Sequence, residues 1–324
     1  VPRIFLSTIL PKLPEWGESG PTWVKSLARV LVEAIAELDD SIFSPEEQAE
    51  LLQDLSRGLA STVFDLVENP EGFGFEKVDE GFPVAEQLQI YPSAISEDRP
   101  AKDHEPRETL IFQQLAVGIS DGYFNVAKFR NEEGTFAIDH FEDFSRSLDD
   151  GSVPQEESML KAFYEGLLSL GDEEGAASAA SEDYLYEIIK ASAQGFVLSA
   201  TVASTSADSI MEEGLHIEAA ERISQGISHT VMLHHTQDDK AFRGKKLSVD
   251  RIAESVASGS SMGSQLATVL PKSMEFTDSW EIFTNVRREL AKAVSRGNAY
   301  GAVNSVALLS STPLSADVEK NYLS

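Results

Sequence analysis

Apolar residues recur along most of this chain at steps of three and four, and the strict alternation of a half-buried strand is scarce. From Thr22, the positions Trp23, Leu27, Val30, Leu31, Ala34, Ile35 and Leu38 make one stripe of a helix that Asp39-Asp40 ends. Ser44, Pro45 and Glu47 then spell a capping box with proline at the first helical position, and Leu51, Leu52, Leu55, Leu59, Val63 and Leu66 continue the next stripe. These two helices read as a hairpin. Further helices are expected over 153 to 170, 181 to 200, 216 to 235 and 278 to 296, the last closed by Gly297. Asp121-Gly122 reads as a break, and 255 to 265 as a Ser/Gly-rich stretch. Between 69 and 107 prolines, glycines and charges interrupt every pattern, which reads as a long irregular arm. The expected class is all-α, a multi-helix array or bundle built from helical hairpins. Its core should hold Trp23, Leu27, Leu51, Leu55, Leu59, Phe163, Leu167, Ile188, Phe196, Ile223, Ile227, Phe283 and Leu290.

One phrase returns. Leu55-Ser56-Arg57-Gly58-Leu59-Ala60-Ser61-Thr62-Val63 resembles Ile223-Ser224-Gln225-Gly226-Ile227-Ser228-His229-Thr230-Val231, with weaker copies at Ala193-Gln194-Gly195-Phe196 and Val294-Ser295-Arg296-Gly297. Glycine within a helix costs roughly 1 kcal/mol relative to alanine. That cost is accounted for where a neighbouring helix passes closely over the missing side chain, so Gly58, Gly195 and Gly226 are read as helix-crossing points of a degenerate hairpin repeat. The Ser/Ala/Gly-rich texture with its repeated Ser-[Arg/Gln]-Gly is a little similar to the helical domains of silk proteins. No specific motif matches them, and a charged fraction of 25% departs from that texture.

Charge changes the picture further. With 26 basic and 54 acidic residues the net charge is −28, which repels phosphate backbones and anionic lipid, so no nucleic-acid partner is expected. No apolar run reaches the roughly 20 residues of a membrane span. The acidity sits mostly before residue 190, dividing the chain into an acidic helical region with its arm, 1 to 150, and a helical region, 151 to 324, that is near-neutral after 190. There is no cysteine, hence no disulfide frame and no thiolate chemistry.

Candidate chemistry is sparse. His234, His235, Asp238 and Asp239 place imidazole and carboxylate at i,i+4 spacing, an arrangement that can share a divalent cation. Arg243, Lys245 and Lys246 form the one basic cluster, suited to docking an acidic surface such as another copy's amino-terminal region. No phosphate loop, dinucleotide fingerprint, zinc-protease or serine-hydrolase signature occurs, and no cofactor is implied. The expectation is therefore a non-enzymatic structural or assembly protein, a subunit of a coat, filament or fibre, whose partners are itself or other protein subunits. An acidic module binding a basic protein is the alternative, and an enzyme with a site dispersed in sequence is the third.

Overall fold

In the computed structural model the described residues are 20–38, 44–68, 107–124, 159–168, 181–203, 215–237, 247–267 and 280–311. They form Gly20–Ala36 (α1), Pro45–Glu68 (α2), Arg107–Phe124 (α3), Met159–Leu168 (α4), Glu182–Ala203 (α5), Leu215–Gln237 (α6), Val249–Ala267 (α7) and Trp280–Ser311 (α8). No strand occurs among them. The local reasons are those of the sequence. Ser44 accepts from the Glu47 amide at 3.2 Å while Glu47 Oε2 accepts from the Ser44 amide at 2.8 Å, which closes the capping box of α2. Ser181 Oγ accepts from the Tyr184 amide and caps α5.

The helices stack in two rows. The odd-numbered α1, α3, α5 and α7 pack successively side by side, and the even-numbered rows pair α2 with α4, α4 with α6, and α6 with α8. Between the rows lies one apolar core running from Val24 and Val32 through Phe64, Phe112, Phe163 and Phe196 to Ile252, Leu290 and Val294. This is an array of four hairpins, each covering the apolar stripe that the previous one leaves open.

Glycine sets the spacing within each row. Gly118 and Gly122 of α3 sit over the carbonyls of Lys25 and Arg29 in α1, and Gly195 of α5 over that of Gln113 in α3. Gly259 and Gly263 of α7 sit over Lys190 and Gln194 in α5. In the even row Gly166 of α4 lies over Arg57, and Gly297 and Gly301 of α8 over Glu221 and Gln225. At every one of these a Cβ would fall within 3.0 Å of the opposing oxygen. Because the pairs ascend together along both helices, neighbours within a row run parallel. Such an approach brings glycine Cα–H groups toward carbonyl oxygens, a weak attraction of about 0.5–1 kcal/mol each that only a bare backbone permits. An ion pair flanks three crossings: the residue just before Gly122, Gly166 or Gly297 reaches across, Asp121 to Lys25 at 3.5 Å, Glu165 to Arg57 at 2.9 Å and Arg296 to Glu221 at 2.6 Å.

Several sequence expectations change. Helix α3 runs through Asp121-Gly122 without a break, because Gly122 serves the crossing with Arg29. Gly297 does not end α8, which continues to Ser311, and for the same reason. The Ser/Gly-rich stretch from 255 to 265 is the body of α7, with Gly259, Ser260, Gly263 and Ser264 buried. Of the expected core, Leu55, Leu59, Phe163, Leu167, Ile188, Phe196, Ile223, Ile227 and Leu290 are buried and Leu27 packs against the core from its rim. Among those whose side chains are described Leu51 is the exception, 38% exposed on α2, and the side chains of Trp23 and Phe283 lie outside the described set. The arm expected between 69 and 107 lies outside the described residues except for Arg107, which opens α3.

Tyr164 is fully buried beside Phe163 and Phe196, and its hydroxyl finds no hydrogen-bond partner among the described residues. Burial pushes its ionisation far above the usual phenol range. Since an unsatisfied buried hydroxyl carries about 1–3 kcal/mol of desolvation cost, Tyr164→Phe is expected to stabilise the chain by up to about 1 kcal/mol after small packing losses. Urea denaturation followed by circular dichroism measures it, and a lower midpoint would show that the hydroxyl is bonded.

Candidate functional site

A stacked array exposes at its two ends the faces that interior helices bury, and the exposed large apolar residues lie mainly there. Among the described residues these are Val30 of α1 and Leu51 of α2 at one end, Tyr300 and Val303 of α8 at the other, and Val202 near the end of α5. Val303 is 63% exposed and Tyr300 54%, although both neighbour Gly301, which is buried against α6.

On α8 an outward line follows helical spacing through Arg288, Lys292, Arg296, Ala299 and Val303, all exposed. Its charges are held by neighbours. Arg296 donates to Glu221 Oε2 from Nε at 3.1 Å and from Nη2 at 2.6 Å, and that hydrogen bond raises its already high ionisation range. Lys292 donates to Glu289 at 2.8 Å, and this bond first, then the charges of Lys292 and Arg288, lowers the Glu289 carboxyl below its ordinary value. Glu289 thus stays ionised at any pH near neutrality. Beside this line a shallow groove between α6 and α8 is bounded by Ile217, Arg222, Gln225, Arg296, Tyr300 and Asn304.

The far end has the opposite sign. Helix α2 exposes Glu47, Leu51 and Asp54, with half-buried Gly58 a turn further on, and Asp54 pairs within its own helix with Arg57 at 2.8 Å. Arg57 is also engaged by Glu165, so it is drawn toward α4 and off this outer line.

The residues singled out by sequence distribute as follows. Gly195 sits at the α3–α5 crossing over Gln113. Gly58 is half-buried in α2 and Gly226 buried in α6; each directly follows a residue whose carbonyl a later glycine covers, Arg57 under Gly166 and Gln225 under Gly301. His234 and His235 fall on the last turn of α6 with side chains outside the described set, and Asp238, Asp239, Arg243, Lys245 and Lys246 lie outside the described residues altogether. Among the described residues no cluster of three potential metal ligands occurs, and no helix is long and apolar enough to cross a membrane. The end faces were missed by sequence reading, yet a signal existed: α1 alone has valine, Val30, where α3, α5 and α7 carry Gly118, Gly195 and Gly259.

Comparison of this chain with protein-family models, with curated proteins and with solved structures finds no match.

Proposed function

We propose that this chain is a non-enzymatic structural or assembly protein, whose copies associate end to end under the restraint of an acidic surface. The observation that carries the reading is the placement of exposed apolar side chains on the first and last hairpins of the stack, Val30 and Leu51 at one end, Tyr300 and Val303 at the other. Ends that differ from one another make a head-to-tail contact, which propagates instead of closing on itself. The restraint comes from the net charge of −28, which makes copies repel at neutral pH and low salt.

As pH falls toward 5.5, histidines gain charge and the most weakly acidic carboxylates take up protons, so the net negative charge shrinks. Glu289 contributes nothing to that change, because its lowered ionisation range keeps it charged across this window. Light scattering on the full chain between pH 7.5 and 5.5 is expected to show molar mass rising as pH falls. A single-chain mass throughout would remove the proposal.

A further inference from the structure

We infer that residues 1–14 fold back along the outer side of α1 and cover its open apolar face in the single chain; on the assembly reading above, a second copy then reaches this end only by displacing them. Among the described residues α1 packs chiefly against α3 and α2, and the glycines of α3 approach it at Lys25 and Arg29. On its remaining side Val30 and Ala34 are exposed and Leu27, Leu31 and Leu38 half-buried, all at three- and four-residue steps. That is a continuous apolar seam, of the kind that a further segment covers.

Composition, charge and tethering select the chain's own first residues as the occupant. Ile4, Phe5, Leu6, Ile9, Leu10 and Leu13 make this stretch strongly apolar, and its charged side chains are Arg3 and Lys12, both basic in a chain of net charge −28. They complement half-buried Glu33 and exposed Glu37 at the border of the α1 seam. The stretch is joined to α1 through residues 15–19, so its effective concentration at the face is that of a short linker, on the order of millimolar. A second copy must instead approach against the charge of both chains. The reach also fits. Val30 lies ten residues along α1 from Gly20, about 15 Å of helix rise, and about five residues of extended chain cover the same length. With a reversal near Gly17, Leu10 comes opposite Val30, and Pro11 and Pro14 favour the extended backbone that this needs.

Cysteine pairs test the placement, since the chain has no cysteine of its own. Neighbouring residues of an extended strand point opposite ways, so Val30→Cys is combined in the full-length chain with either Ile9→Cys or Leu10→Cys. At pH 7.5 and low salt, with helical content checked by circular dichroism, one of the two pairs should link within a single chain under mild oxidation. Adding Ile4→Ser, Phe5→Ser and Leu6→Ser to the linking pair should slow the reaction by about tenfold or more, because the tether is unchanged and only apolar docking is lost. Failure of both pairs to link, an equal rate in the serine variant, or links that join two chains would overturn the cover, and none of these bears on whether the parent assembles. Under the acidic conditions where the parent assembles, the linked form should stay at the mass of one chain until reduction releases it. Linked chains that assemble like the parent would overturn the displacement step. A parent that is monomeric at every pH would overturn the assembly reading and that step with it, the cover still being decided by the linking rates.

Discussion

Gly259→Ala is expected to destabilise the chain by about 2–4 kcal/mol, although the same exchange favours an isolated helix by about 1 kcal/mol. The reversal of sign comes from the crossing with α5. A Cβ on residue 259 would meet the Lys190 carbonyl oxygen and carbon and the Ala193 Cβ, each at 3.0 Å or less. Two of these atoms belong to helical backbone, which cannot turn aside as the end of a long side chain can. The two helices must therefore separate, and the packing along α5 and α7 loosens over several turns, as overpacking does in any dense interior. Gly263→Ala, over Gln194 and Leu198 at the same crossing, should cost about as much. The double variant should cost less than the sum, since one displacement of α7 relieves both clashes. Urea or thermal unfolding followed by circular dichroism gives the comparison. A gain in stability from either single exchange would show that these glycines are not at a close crossing.

The largest loss from deleting a side chain is expected at Phe163, where Phe163→Ala should cost about 3–5 kcal/mol. Phe163 is fully buried and meets two rings edge-on, Phe196 with centroids 5.0 Å apart and Tyr164 at 5.3 Å. The pair with Phe196 ties α4 of the even row to α5 of the odd row. Helix α4 has only ten residues, too few to persist on backbone hydrogen bonding alone, so burial on nearly every side holds it in place. Met159, Leu160, Ala162, Phe163, Tyr164 and Leu167 all lie inside the core. Removing the central ring leaves a cavity against both rows, and hydrogen exchange should rise first in α4. Leu51→Ala, by contrast, should change monomer stability by no more than about 0.5 kcal/mol, since that side chain is already in water.

Much of this architecture was legible from local chemistry. The three-and-four spacing of apolar residues gave the helical class, and Ser44 with Glu47, and Ser181, gave two helix starts that the hydrogen bonds reproduce. Of the recurring Ser-[Arg/Gln]-Gly phrase, Gly297 lies at a crossing, while at Arg57-Gly58 and Gln225-Gly226 the carbonyl before the glycine is the group that a later glycine covers. The candidate site was far less legible, because exposure at an end of a stack depends on which helices have neighbours. Leu51 continues an apolar stripe as well as Leu55 does, yet Leu51 is exposed and Leu55 buried, which depends on the faces of α2 that α1, α3 and α4 cover.

Glycine shows most clearly where sequence stops deciding. By itself the chain states the cost, since Gly122, Gly259 and Gly297 each weaken the helix that holds them. Read locally, that cost signals a turn or a helix end, and so α3 would be broken, α7 absent and α8 short. The compensating interaction is supplied by a backbone carbonyl on another helix, Arg29, Lys190 or Glu221, far away along the chain. Sequence alone therefore determined the helical period, the caps and the repeated phrase. Tertiary structure decided which glycines lie within helices and which faces remain open, because a close crossing is a property of two helices and neither carries it alone.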